Sequence, residues 1–119
     1  MKRDFELVRT ILFYLECEDE TQKENLFSQI KEQPELKLRK HLEIMEEASF
    51  VSTGKHNTAA GRILHPYSRL TWNGYEFLDK IRNDNLWKKI KDNIISKGLS
   101  LSFDAISSTA THYMQKMLG

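Results

Sequence analysis

Cysteine is almost absent from this chain. Cys17 stands alone among 119 residues, which excludes an intramolecular disulfide and suits a reducing compartment. Proline is confined to Pro34 and Pro66 and glycine to five positions, too few for a low-complexity or collagen-like chain. No apolar run approaches the roughly 20 residues that span a bilayer. Met1-Lys2-Arg3-Asp4 leads directly into an amphipathic pattern, without the apolar segment and small-residue cleavage site of a signal peptide. A cytoplasmic protein with no membrane partner is expected. The four histidines form no His-x-x-x-His pair and none lies near the cysteine, so metal-ligand spacing is missing. There is no glycine-rich phosphate loop, and Ser, His and Asp are scattered rather than arrayed as nucleophile, base and orienting acid. The expectation is a non-catalytic protein with neither metal nor cofactor.

What is present is a soluble composition with uneven charge. Hydrophobic residues make up 39% and charged residues 29% of a chain whose formal net charge is +1, as in a single globular domain able to bury its own core. Residues 1–47 hold 8 bases against 12 acids, and residues 76–119 hold 7 against 5. Between them, residues 48–75 carry Lys55, Arg62 and Arg69 and no acid at all. An acid-free window in an acid-rich chain is a basic patch in outline, although the sequence pI near 7.9 lies below the range usual for nucleic-acid binders.

The periodicities give an order of elements. Asp4 can cap a helix whose apolar stripe is Phe5, Val8, Ile11, Leu12 and Leu15. Glu16 to Gln22 reads as an acidic solvated turn, followed by a short apolar element at Leu26, Phe27 and Ile30. Pro34 suits the first turn of another helix, with Leu38, Leu42 and Met45 on its buried face. Beside that stripe, His41 reads as a partly buried structural residue rather than a base contact. Phe50-Val51 begins an extended segment, Gly54 to Gly61 has the residues of a hairpin tip, and Ile63 to Leu70 returns as the partner strand, with Pro66 confining it to an edge or bulge. Thr71 can cap a helix bearing Trp72, Tyr75, Leu78 and Ile81 on one apolar face. Asn83-Asp84-Asn85 separates it from a helix around Trp87, Ile90 and Ile94 that ends at Gly98, and Ser102 caps a last helix carrying Phe103, Ile106, Ala110 and Met114. The expected fold class is α+β, mainly helical: a winged helix-turn-helix with a β-hairpin wing and two additional C-terminal helices. It is a single winged-helix-like domain, with a core over 1–82 and a C-terminal helical extension over 83–119.

Leu38-Arg39-Lys40-His41-Leu42 through Ser49-Phe50-Val51 resembles the recognition helix and first wing strand of bacterial winged-helix repressors. Those repressors commonly have a left-handed glycine where Ser49 stands. A resemblance covering nearly the whole chain rests on the N-terminus, the His41 helix, Arg69-Leu70-Thr71-Trp72-Asn73-Gly74-Tyr75-Glu76-Phe77-Leu78-Asp79, Ile81-Arg82-Asn83-Asp84, Trp87 and Lys97 to Phe103. It is to the phage and bacterial family called domain of unknown function 2513. That resemblance implies a small winged-helix-like protein of phage, prophage or bacterial origin, and brings no functional residues with it.

On the winged-helix reading, the helix near 10 Å across enters a major groove with its N-terminal half against the base edges. That half offers Gln33, Lys37, Arg39 and Lys40, while the wing lays Lys55, His56, Asn57 and Arg62 along the backbone or minor groove. The expected partner is double-stranded DNA, bound by a transcriptional regulator that is a homodimer through its C-terminal helices. The alternative is a non-catalytic protein-interaction module that docks on a host or phage protein, for example to inhibit a host defence system. The acidic stretch Glu16 to Glu24 would then be the surface of interest. An Arg39–Glu43 pair of little energetic weight is expected on the helix surface in either case.

Overall fold

Asp4 opens the first helix by accepting the amides of Glu6 and Leu7, both at 3.1 Å. The computed structural model describes residues 2–54, 56–65 and 68–118, so the expectations placed on Lys55 and Pro66 lie outside the described residues. The elements are α1 (Phe5–Glu16), α2 (Glu20–Lys31), α3 (Glu35–Glu47), β1 (Val51–Ser52), α4 (Ala59–Leu64), β2 (Arg69–Leu70), α5 (Trp72–Ile81), α6 (Asp84–Ser96) and α7 (Phe103–Leu118). The class is mainly helical α+β with one small antiparallel sheet, in which Val51 pairs with Leu70 and Ser52 with Arg69. No described helix is long and apolar enough to cross a membrane.

The described residues fall into two compact units, residues 1–75 and 76–119. In the first, α1 packs on α2, α3 and β2, and α3 packs on β1 and α4. The core is built from Val8, Ile11 and Leu12 of α1, Ile30 of α2, Leu38, Leu42 and Met45 of α3, Ile63 of α4 and the paired strand residues Val51 and Leu70. In the second unit α6 packs on α7. Trp87, Ile90, Ile94, Ile106 and Ala110 are buried there, and the rings of Phe77 and Phe103 meet edge to face at 5.4 Å.

Three local readings of the sequence are corrected. The acidic turn after α1 is only Cys17–Asp19, because the Asp19 carboxylate accepts the amides of Thr21 and Gln22 and starts α2 at Glu20. The segment read as hairpin tip and returning strand contains a helix instead. Thr58 accepts the Gly61 amide at 3.0 Å and caps α4, so Ile63 and Leu64 are helical and the return strand is only Arg69–Leu70. The apolar face of α5 is also turned. Trp72 is 78% exposed and Tyr75 44%, while Gly74, Phe77, Leu78 and Ile81 face inward.

Gly74 explains that rotation. A Cβ built on it would lie 2.1 Å from the carbonyl oxygen of Phe50, so only glycine lets the first turn of α5 approach the end of α3 this closely. The approach is tied by Thr71, whose amide donates to the Phe50 carbonyl at 3.0 Å and whose hydroxyl donates to the Ser49 carbonyl while accepting from the Gly74 amide.

Candidate nucleic-acid interface

Residues 32–34 join α2 to α3, and residues 48–50 join α3 to β1. Its C-terminus closes with two bonds, Ser49 N–H to the Glu46 carbonyl and Phe50 N–H to the Met45 carbonyl, each 2.9 Å. This is a Schellman arrangement with its left-handed position filled by serine, at φ 62°. The same pair of bonds closes α6 around Gly98, at φ 73°. Replacing glycine by serine at residue 49 thus leaves the cap geometry intact.

The N-terminal half of α3 is anchored through its buried side. His41 is 0% exposed. Its Nε2 accepts the Asp4 amide at 2.8 Å and its Nδ1 lies 2.7 Å from the Lys37 carbonyl. A carbonyl only accepts, so Nδ1 carries the proton and the ring is the neutral Nδ1–H tautomer. Lys37 Nζ meets the Asp4 carboxylate at 2.8 Å. Burial pushes that carboxyl upward, and the hydrogen bond and charge of Lys37 with the amides of Leu7 and Glu6 outweigh it, holding Asp4 below its ordinary value.

The candidate contact residues divide into two groups. Arg39 and Lys40 are exposed on the first turns of α3, and His56 and Asn57 are exposed in the segment leading to α4. Arg39 joins these elements, because its Nη2 donates to the Asn57 carbonyl at 3.3 Å. The other candidates are more enclosed. Gln33 is half-buried at the α2–α3 connection, Lys37 is held by Asp4, and Arg62 has a side chain only 17% exposed beside Glu46 at 3.9 Å. Lys55 lies outside the described residues.

The carboxylates that organise this surface include several that sequence reasoning did not single out. Glu35 pairs with Arg39 at 3.6 Å and also accepts the Ala59 amide. Lys40 pairs with Glu43 at 3.9 Å. The expected Arg39–Glu43 pair is therefore replaced by Glu35–Arg39, in the favoured order with the acid nearer the N-terminus, and the i, i+4 spacing was the available signal. Glu46 accepts the Thr53 hydroxyl in addition to facing Arg62. One Arg62 nitrogen, Nη2, is buried without a partner among the described residues. The His56 and His65 rings lie 4.8 Å apart. Among the described residues no group of three or more His, Cys, Asp or Glu is placed to hold a metal.

The profile of the family described as "Hypothetical protein (DUF2513)" matches residues 2–100. The chain belongs to the DUF2513 family. A protein of Haemophilus influenzae, carrying only the name "Uncharacterized protein", is 34% identical over 118 residues, covering 99% of each chain. No solved structure matches. The DUF2513 match includes all of α1 to α6 and stops before α7.

Proposed function

We propose that this DUF2513 protein is a non-catalytic, cytoplasmic winged-helix protein that binds double-stranded DNA and regulates transcription of a phage or other mobile element, as a homodimer paired through its C-terminal helices. The order α1, α2, three-residue turn, α3 and antiparallel strand pair supports the winged-helix reading. The observation that carries the DNA reading is the Arg39–Asn57 contact, which gives the exposed start of α3 and the interstrand segment a common face. Backbone amides at a helix N-terminus favour an anion nearby, so phosphate and base edges meet Arg39, Lys40, His56 and Asn57 together. Lys37 and Arg62 serve the framework on this reading, through Asp4 and Glu46.

The carboxylates opposite Arg39 and Lys40 do not forbid this role, because exposed ion pairs contribute only about 0–1 kcal/mol and exchange readily for a phosphate. A mobility-shift assay on mixed duplex DNA, starting at about 50 mM salt, tests the reading. Loss of Lys40 should flatten the plot of log affinity against log salt by about one unit. Arg39→Ala should in addition reduce discrimination between sequences, if Arg39 reads a base. Removal of Lys88 or Lys89, exposed on α6, should leave the slope unchanged. Absence of binding at that salt would overturn the DNA reading.

A second reading has its own observation. Lys37, Arg39, Lys40 and Arg62 each face a carboxylate, so this surface offers a phosphate backbone little unpaired positive charge. On this reading the chain is an interaction module that docks on a host or phage protein.

A further inference from the structure

A groove of about 380 Å³ lies between α1, α2 and α4, lined by Tyr14, Glu20, Lys23, Glu24, Phe27 and Leu64. Its apolar part is well defined. The Tyr14 and Phe27 rings are 5.7 Å apart and tilted by 36°, and Leu64 is 54% exposed although its neighbour Ile63 is buried. Its charged lining is Glu20, Glu24 and Lys23, and the chain beside it is acidic. Residues 16–24 hold five carboxylates and one base, and that base, Lys23, has its ammonium 5.0 Å over the Tyr14 ring. Glu20 and Glu24 stand one turn apart on α2 and project along one helix face.

Tyr14 adds an independent observation. The residue is only 4% exposed and it lines the groove. Its hydroxyl is not one of the buried unpartnered polar atoms, so it can donate to a partner seated in the groove. Burial also pushes the Tyr14 phenol up, which keeps it a donor.

We propose that this groove docks a basic, apolar-anchored segment of a partner protein. One aliphatic or aromatic side chain seats against Tyr14, Phe27 and Leu64. Lysine or arginine residues flanking it meet Glu20 and Glu24, and a main-chain carbonyl of the segment accepts the Tyr14 hydroxyl. The charge of the rim selects this occupant over nucleic acid and over acidic peptides. The proposal rests on the interaction reading and names its surface and the chemistry of its partner. It uses none of the residues assigned to DNA contact.

The test is fluorescence polarisation with labelled synthetic 12-residue peptides. One set places Leu, Phe or Trp among Lys and Arg, a second keeps the anchors among Glu and Asp, and a third keeps the bases around Ala. The first set should bind, and the second and third should bind weakly or not at all. Tyr14→Phe should weaken the first set about three- to tenfold, the size of one hydrogen bond. Leu64→Ala should weaken it as well, and Glu20→Gln with Glu24→Lys should weaken it about tenfold or more while removing its salt dependence. Each variant is compared with the parent at equal folded fraction, fixed by its thermal melt. If the first set binds but these variants match the parent, the module binds proteins elsewhere and the groove assignment fails. If no set binds, the groove assignment fails, while the interaction reading, carried by the ion pairs of α3, is left standing. Neither result bears on the mobility-shift assay.

Discussion

Ser49 shows how one residue carries a cost that its position imposes. At φ 62° its Cβ sits in the region that L-residues avoid by about 1–2 kcal/mol, yet both closing bonds of α3 form around it. Ser49→Gly should therefore stabilise the protein by about 0.5–1 kcal/mol, the released strain less the added freedom of the unfolded chain, as a rise in denaturation midpoint at unchanged m-value. His41 lies midway along the same helix and presents the opposite case. Its two ring nitrogens meet the Asp4 amide and the Lys37 carbonyl. The carbonyl keeps its helical amide in His41→Leu, but the Asp4 amide loses its partner, so the change should cost about 1–3 kcal/mol in chemical denaturation. Leu42, fully buried beside it, tests packing alone. Leu42→Ala should lose about 2–5 kcal/mol, and a thermal melt matching the parent would show the wrong face of α3 turned inward. The buried stripe Leu38, Leu42, Met45 was legible in the sequence because it follows helical spacing. The complete burial of His41 was not, because its partner Asp4, the cap of α1, is 37 residues away.

At the scale of elements, the caps were the most readable features. Asp4, Thr71, Ser102 and Gly98 all stand where their side chains or backbone freedom imply, whereas Asn83-Asp84-Asn85, read as a break, is the cap and first turn of α6. What misled was hydrophobicity without sterics. Trp72 is apolar and in phase with Leu78, but the Phe50 carbonyl occupies the place where a side chain at residue 74 would be, and that contact sets the rotation of α5. Gly74→Ala must displace backbone, so it should destabilise by about 1–3 kcal/mol, measurable by melting. The α4 helix was hidden for a related reason. Gly54, Asn57 and Gly61 are turn formers, and one side-chain cap at Thr58 is enough to wind the small residues after it into a helix. The candidate contact residues were legible by type, and the Glu35–Arg39 partnership by spacing, whereas Asp4–Lys37 and Glu46–Arg62 join distant parts of the sequence. The first of these gives a pH signature. Asp4 is held below its ordinary value of 3.8, so its contribution is present above that pH and is lost as pH falls through the lower folded value. Asp4→Asn should be less stable than the parent near neutrality, and the gap should close below about pH 4 in denaturant titrations run across that range.

At the scale of the whole chain, apolar exposure occurs at Leu36, Leu64, Trp72 and Tyr75 as well as along the C-terminal helices. Ile95 and Leu99 are exposed at the end of α6 and just beyond it, and Met117 and Leu118 are 75% and 88% exposed at the end of α7. Side chains of this size left in water lose about 1.5–3 kcal/mol each relative to full burial, so pairing two chains along these helices is the assembly proposed above. A two-fold dimer presents the same patch from both copies, and on the proposed DNA reading it would bring two copies of α3 to a palindromic site. Light scattering at tens of micromolar, a range in which micromolar affinities are populated, should then give about twice the 14.0 kDa chain mass. Met117→Lys with Leu118→Lys should return the single-chain mass without lowering the melting temperature at low protein concentration, because neither side chain belongs to the core of residues 76–119. If the parent already scatters as one chain at that concentration, the stable dimer is excluded, and any palindromic recognition would have to assemble on the DNA itself.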